Sequence, residues 1–100
     1  MAYIGKVSIT QEWADLESLI QAQVDGQSSF AFTTGTKYQL QPEKGLMGMC
    51  VTSAEPTDLL AGEHLDQAQT AIYEPDGTNG IYVRSKEEDA VILLAVSELA

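Results

Sequence analysis

Glu74-Pro75-Asp76-Gly77-Thr78-Asn79-Gly80-Ile81-Tyr82-Val83-Arg84-Ser85 is the stretch whose reading decides the fold. A proline, an Asp-Gly and an Asn-Gly within seven residues supply the chain conformations that tight turns need. The segment from Glu74 to Gly80 therefore predicts a hairpin turn. Ile81 and Val83 then alternate with Tyr82 and Arg84, the period of two that marks a strand with one buried face.

The same grammar extends in both directions. Downstream, Lys86-Glu87-Glu88-Asp89 predicts a charged turn before an apolar run from Ala90 to Val96. A strand with one wet face alternates, whereas this run is apolar at every position, so both of its faces are expected to be covered. Either it is an internal strand of a sandwich, or its second face meets another subunit. Upstream, strands are predicted at about Thr70–Tyr73, Leu46–Thr52 and Lys37–Gln41, the last with Tyr38 and Leu40 inward and Pro42 closing it. Phe30 and Phe32 alternate with Ala31 and Thr33 and predict another strand. Ala54–Asp58 reads as a loop, from which Leu59–Gly62 leads out.

The first twenty residues read differently. Lys6–Thr10 alternates like a short strand. Trp13, Leu16, Leu19 and Ile20 then share one face of a helix over Gln11–Ile20, with Thr10 as its N-cap. No repeat or linker divides the chain. The expectation is one all-β domain over residues 1–100, a small antiparallel β-sandwich or jelly-roll-like fold with one short N-terminal helix or turn-rich segment, and residues 1–20 as a docking arm.

Composition narrows the function. Of 100 residues 44% are hydrophobic and 20% charged, as in a folded domain. The net charge of −10 argues against nucleic acid and against an anionic membrane surface. The imbalance lies mainly in residues 51–100, where Arg84 and Lys86 face ten acids; residues 1–50 hold three Lys and five acids. Such an acidic face keeps a protein soluble and could meet a basic partner. With no leader sequence and no apolar run near the roughly twenty residues of a membrane span, synthesis in a cytoplasm is expected.

The residues of chemistry are sparse. Cys50 is the single cysteine, which excludes an intrachain disulfide, and it sits in an apolar run that predicts a small buried thiol. His64 is the single histidine, flanked by Glu63 and Asp66 and expected in an exposed loop. A zinc site needs three or four convergent ligands. Asp76–Gly80 lacks the spaced acids of a calcium loop, and Glu87–Asp89 reads as a solvated turn. No nucleophile elbow or phosphate loop occurs. Neither an enzyme, a cofactor nor a metal is expected.

The order of the motifs carries a resemblance. Trp13-Ala14-Asp15-Leu16 is followed by Gly35-Thr36-Lys37-Tyr38-Gln39-Leu40-Gln41, by Val51-Thr52-Ser53-Ala54-Glu55-Pro56 and by Gly62-Glu63-His64-Leu65. Gly80-Ile81-Tyr82-Val83-Arg84-Ser85 and the apolar run from Ala90 through Val96 to Glu98 close the series. From about Trp13 to Glu98 this resembles the small β-sandwich virion proteins of tailed bacteriophages. The polar stretch Gln21–Ser29 and the acidic second half depart from that pattern. The resemblance implies a virion structural protein, made in the host cytoplasm and often trimeric. It would be a capsid decoration (cement) or head-fibre base protein bound to the major capsid protein or another virion protein. Alternatives are a tail adaptor or fibre-attachment protein, and a carbohydrate or host-surface binding module resting on exposed aromatics. The candidate partner interface comprises Tyr3, Ile4, Val7, Ile9, Trp13, Leu16, Tyr82, Arg84, Val91 and Leu93, with Ala90–Val96 as the trimer contact.

Overall fold

The computed structural model describes residues 2–43, 45–57, 62–66, 69–86 and 92–99. Among them the chain forms β1 (Ala2–Ile9), β2 (Ala14–Asp15), α1 (Leu16–Gln23), β3 (Tyr38–Pro42), β4 (Leu46–Thr52), β5 (Glu63–Asp66), β6 (Ala71–Tyr73), β7 (Gly80–Ser85) and β8 (Ile92–Glu98). Two four-stranded sheets result: sheet A in the order β1-β8-β3-β6 and sheet B in the order β2-β7-β4-β5. Every pairing is antiparallel. The fold is an all-β sandwich with one short helix.

Alternation builds the core. Val7 and Ile9 of β1, Leu40 of β3, and Leu94 and Val96 of β8 are buried from one sheet; Met47, Ile81 and Val83 meet them from the other. Leu16 and Ile20, one helical turn apart, bury the inner face of α1 in the same cluster. Fully burying a side chain of this size contributes about 1.5–3 kcal/mol.

The helix begins at Leu16, not Gln11, because the preceding backbone is already engaged. The Thr10 carbonyl accepts the Ser85 N–H at 2.6 Å, the Gln11 carbonyl accepts Arg84 Nε at 2.6 Å, and Ala14–Asp15 pairs with Val83 and Tyr82. Asp15 replaces Thr10 as the N-cap residue. Trp13 accordingly leaves the helical face it was expected to share.

Residues 24–37 contain no strand, against the alternation of Phe30 and Phe32. Their backbone bonds go to turn carbonyls and, at the expected strand, to side chains: Glu17 Oε1 accepts the Phe32 N–H at 3.1 Å, and Tyr38 Oη accepts the Thr33 N–H at 2.8 Å. The two rings still reach the core. Phe32 stands edge-to-face on Tyr38 at 4.8 Å and on Tyr73 at 5.2 Å between centroids.

The Glu74–Gly80 turn is not a hairpin. It carries the chain from β6 in sheet A to β7 in sheet B. His64 lies on β5, paired in register with Gly48, and not in a loop. Residues 87–91 fall outside the described ones, and with them the charged turn and the start of the expected last strand.

The segment read as a docking arm holds β1, β2 and the start of α1. β1 pairs with β8 from Ala2↔Glu98 to Ile9↔Ile92, and α1 covers its free edge. There the Gln23 carboxamide takes the place of a further strand. Its Oε1 accepts the Ser8 N–H at 2.7 Å and its Nε2 donates to the Ser8 carbonyl at 3.0 Å. Val24 closes against Gly5, where even a methyl group would stand 2.7 Å from a Val24 methyl carbon.

Candidate functional site

Register decides which side chains look outward. On sheet A, Tyr3, Ser97, Gln39 and Ile72 are successive partners across β1, β8, β3 and β6, so they form one row on a single face. Lys6, Ala95 and Gln41 form the next row, followed by Ser8 and Leu93. Large apolar groups stand open here: Tyr3 is 61% exposed, Ile72 53% and Leu93 43%. The Tyr3–Ile72 row spans three strand spacings, about 14 Å. Between the rows, Lys6 Nζ meets Glu43 Oε1 at 2.7 Å; the bond holds the lysine above its ordinary pKa, with the carboxylate's charge adding to it.

Among the described residues, therefore, nothing fully covers the second face of β8. Leu94 and Val96 lie in the core, while Leu93 is exposed and Ala95 half-buried on the outer face. The strand is internal to sheet A, but its second apolar face remains at the surface.

The outer face of sheet B is closed locally. Trp13 is 7% exposed yet lies outside the main core, over Gly48. A Cβ on Gly48 would stand 2.7 Å from Lys86 Cε and 3.4 Å from Arg84 Cγ and a Trp13 ring carbon, so a larger residue there would have to displace the lysine tip. Cys50, opposite Tyr82 in register, is half-buried and not enclosed.

These positions revise the expected interface. Val7, Ile9 and Leu16 are core residues and present no surface. Trp13 and Arg84 are buried in the packing of residues 10–13 on β7. Ile4 and Tyr82 are half-buried, Tyr3 and Leu93 are open, and Val91 lies outside the described residues. Ile72 was missed, since the three-residue β6 shows too little alternation to reveal its outward side.

A concavity of about 220 Å³ lies where the Glu74–Gly80 turn meets the start of α1. Asp15, Glu17, Phe32 and Tyr73 are among its walls. Its polar groups already serve each other: Asp15 Oδ2 accepts Ser18 Oγ–H at 2.8 Å, and Glu17 holds the Phe32 N–H. Burial raises the Tyr73 phenol above its ordinary pKa, with Asp76, Glu17 and Asp15 adding to the shift. Among the described residues no three His, Cys, Asp or Glu side chains gather as metal ligands.

Asp76 clamps the turn. It accepts the Thr78 and Asn79 N–H groups at 2.8 Å each and the Asn79 side-chain amide at 2.9 Å. The Asn79 and Thr78 backbone bonds, then the Asn79 amide, hold its carboxyl below the ordinary carboxylate pKa. A carboxyl whose pKa is depressed by folding stabilises the fold above its unfolded pKa and loses that contribution as pH falls through the folded value. The protection of the Thr78 and Asn79 amides, relative to intrinsic exchange at each pH, should therefore hold at neutral pH and fall only below the ordinary aspartate range. Asp76→Ala should show low protection at both amides at every pH.

Among the described residues no helix is long and apolar enough to cross a membrane. No family model, no curated protein and no solved structure matches the chain.

Proposed function

We propose that the chain is a bacteriophage virion structural protein that docks on the capsid shell through the outer face of sheet A, as a decoration protein or the base of a head fibre. The observation that carries this reading is the open apolar face itself: Tyr3, Leu93 and Ile72, on three different strands of one sheet, held at fixed spacing by the ladder. A small sandwich buries limited area, but a shell repeats its sites by symmetry, so many modest contacts add up. The motif order from Trp13 to Glu98 points to the same class. The docking role thus moves from the N-terminal arm to a sheet face, and a trimer would use this face beside Leu93.

A carbohydrate-binding role is less favoured, because Trp13, Tyr38 and Tyr73 are buried and Tyr3 is the one aromatic in the exposed range among the described residues. No residue is given a catalytic role.

Immunogold labelling of purified particles from a lysate expressing the chain tests the proposal. Label on the shell is the expected result, label on the tail would transfer the protein to the adaptor reading, and unlabelled particles would overturn the virion role. Leu93→Asp should leave a folded protein that is lost from particles. Its retention would overturn the assignment of the face while leaving the virion role standing.

A further inference from the structure

The two ends of sheet A are treated differently. At β1 the ladder positions of Ser8 are filled by Gln23, and α1 lies along the edge. At the other end β6 pairs with β3 through Tyr38↔Tyr73, Gln39↔Ile72 and Leu40↔Ala71, and among the described residues no strand lies on its far side. Unpaired edges are templates for strand addition, and proteins usually cover or charge them. Here one edge is covered, and the other, paired by no further strand among the described residues, carries an exposed Ile72.

Charge selects the occupant. Glu74 and Asp76, which follow β6 directly, are exposed. Lys37, the nearest cation in register, precedes β3, on the paired side of β6. A second copy of a chain carrying −10 is repelled from such an edge, whereas a cationic strand is attracted to it.

We propose that β6 is the acceptor edge for an extended, basic segment of another protein, which adds as the fifth strand of sheet A. Its apolar residues lie beside Ile72 on the outer face, and lysine or arginine occupies the alternate positions. Main-chain bonds supply the attachment and alternate side chains the selectivity, as in other strand-addition complexes. Three residues of β6 give a short ladder, so attraction between charges carries much of the affinity and salt weakens it. This edge shares Ile72 with the face proposed for shell docking, but the peptide is read at Ala71–Tyr73 and shell docking at Leu93, so either can fail without the other.

The test uses the full chain, labelled with nitrogen-15, and a blocked peptide of alternating valine and lysine about eight residues long. Amide shifts confined to Ala71–Tyr73 and their β3 partners are expected, with binding about tenfold weaker at ~1 M salt than at low salt. A valine–glutamate peptide should not bind, and a valine–lysine peptide N-methylated at alternate residues should lose the site, since it keeps the charge but cannot form the ladder. Ile72→Lys, at an exposed position, should keep the fold and weaken binding about tenfold or more. Equal binding of either control peptide, shifts located elsewhere, or unchanged affinity of Ile72→Lys would overturn the proposal. Concentration-dependent shifts at Ala71–Tyr73 in the protein alone would assign the edge to a second copy instead.

Discussion

Removing residues 1–12 should leave a chain that no longer folds. The truncation takes away β1 and with it Val7 and Ile9, both enclosed in the core. Those two side chains alone contribute about 3–6 kcal/mol at 1.5–3 each. It also strips one side of β8 of its ladder partner from Ala2↔Glu98 to Ile9↔Ile92 and cuts the Thr10–Ser85 and Gln11–Arg84 bonds that seat β7. Domains of this size are stable by about 5–15 kcal/mol, so losses on this scale consume most of the margin. Circular dichroism should show no cooperative melt. A truncated protein that still melted cooperatively would restore the docking-arm reading, which requires residues 1–12 to be dispensable for folding.

Gly62→Ala should be the most damaging single glycine substitution. Gly62 has φ +82°, and a Cβ there would overlap the Met49 carbonyl oxygen and crowd Cys50. The obstacle is backbone of β4, which cannot swing away as a side-chain tip can. Positive φ alone costs an alanine roughly 1–2 kcal/mol. Gly26 isolates that part: its φ is +80°, with nothing within 4 Å of the added carbon. Urea denaturation should therefore place Gly26→Ala about 1 kcal/mol below the parent and Gly62→Ala about 3 kcal/mol or more below it. Equal losses at the two sites would show that β4 and the approach to β5 are less tightly joined than the structure has them.

How far the sequence carries depends on which interactions are local. β4 is legible to the residue at Leu46–Thr52, and β3 and β7 to within one, because side-chain alternation and turn residues are properties of neighbouring positions. Trp13 shows where this stops. Its spacing from Leu16 and Ile20 fits a helix, yet the backbone of residues 10–15 is claimed by β7, some seventy positions away. Phe30 and Phe32 alternate as a strand does, but Glu17 and Tyr38 take the bonds that a ladder would need. The turn residues at Asp76–Gly80 announce a reversal without saying which sheet the chain enters next. Of the interface, Tyr3 and Leu93 could be read as apolar and available; Ile72 could not, because its outward side is set by Gln39 across the sheet.

The position of β8 has a consequence in time. It lies between β1 and β3, so the first strand of sheet A and the third in chain order have no ladder between them until the last one arrives. During synthesis, residues 2–9 must therefore wait for residues 92–98. Topologies dominated by such distant pairings fold slowly, within roughly milliseconds to seconds. Until then the apolar side chains of β1 and β3 stand open together on an unfinished sheet. That interval, more than the finished surface, is when this chain is most exposed to aggregation.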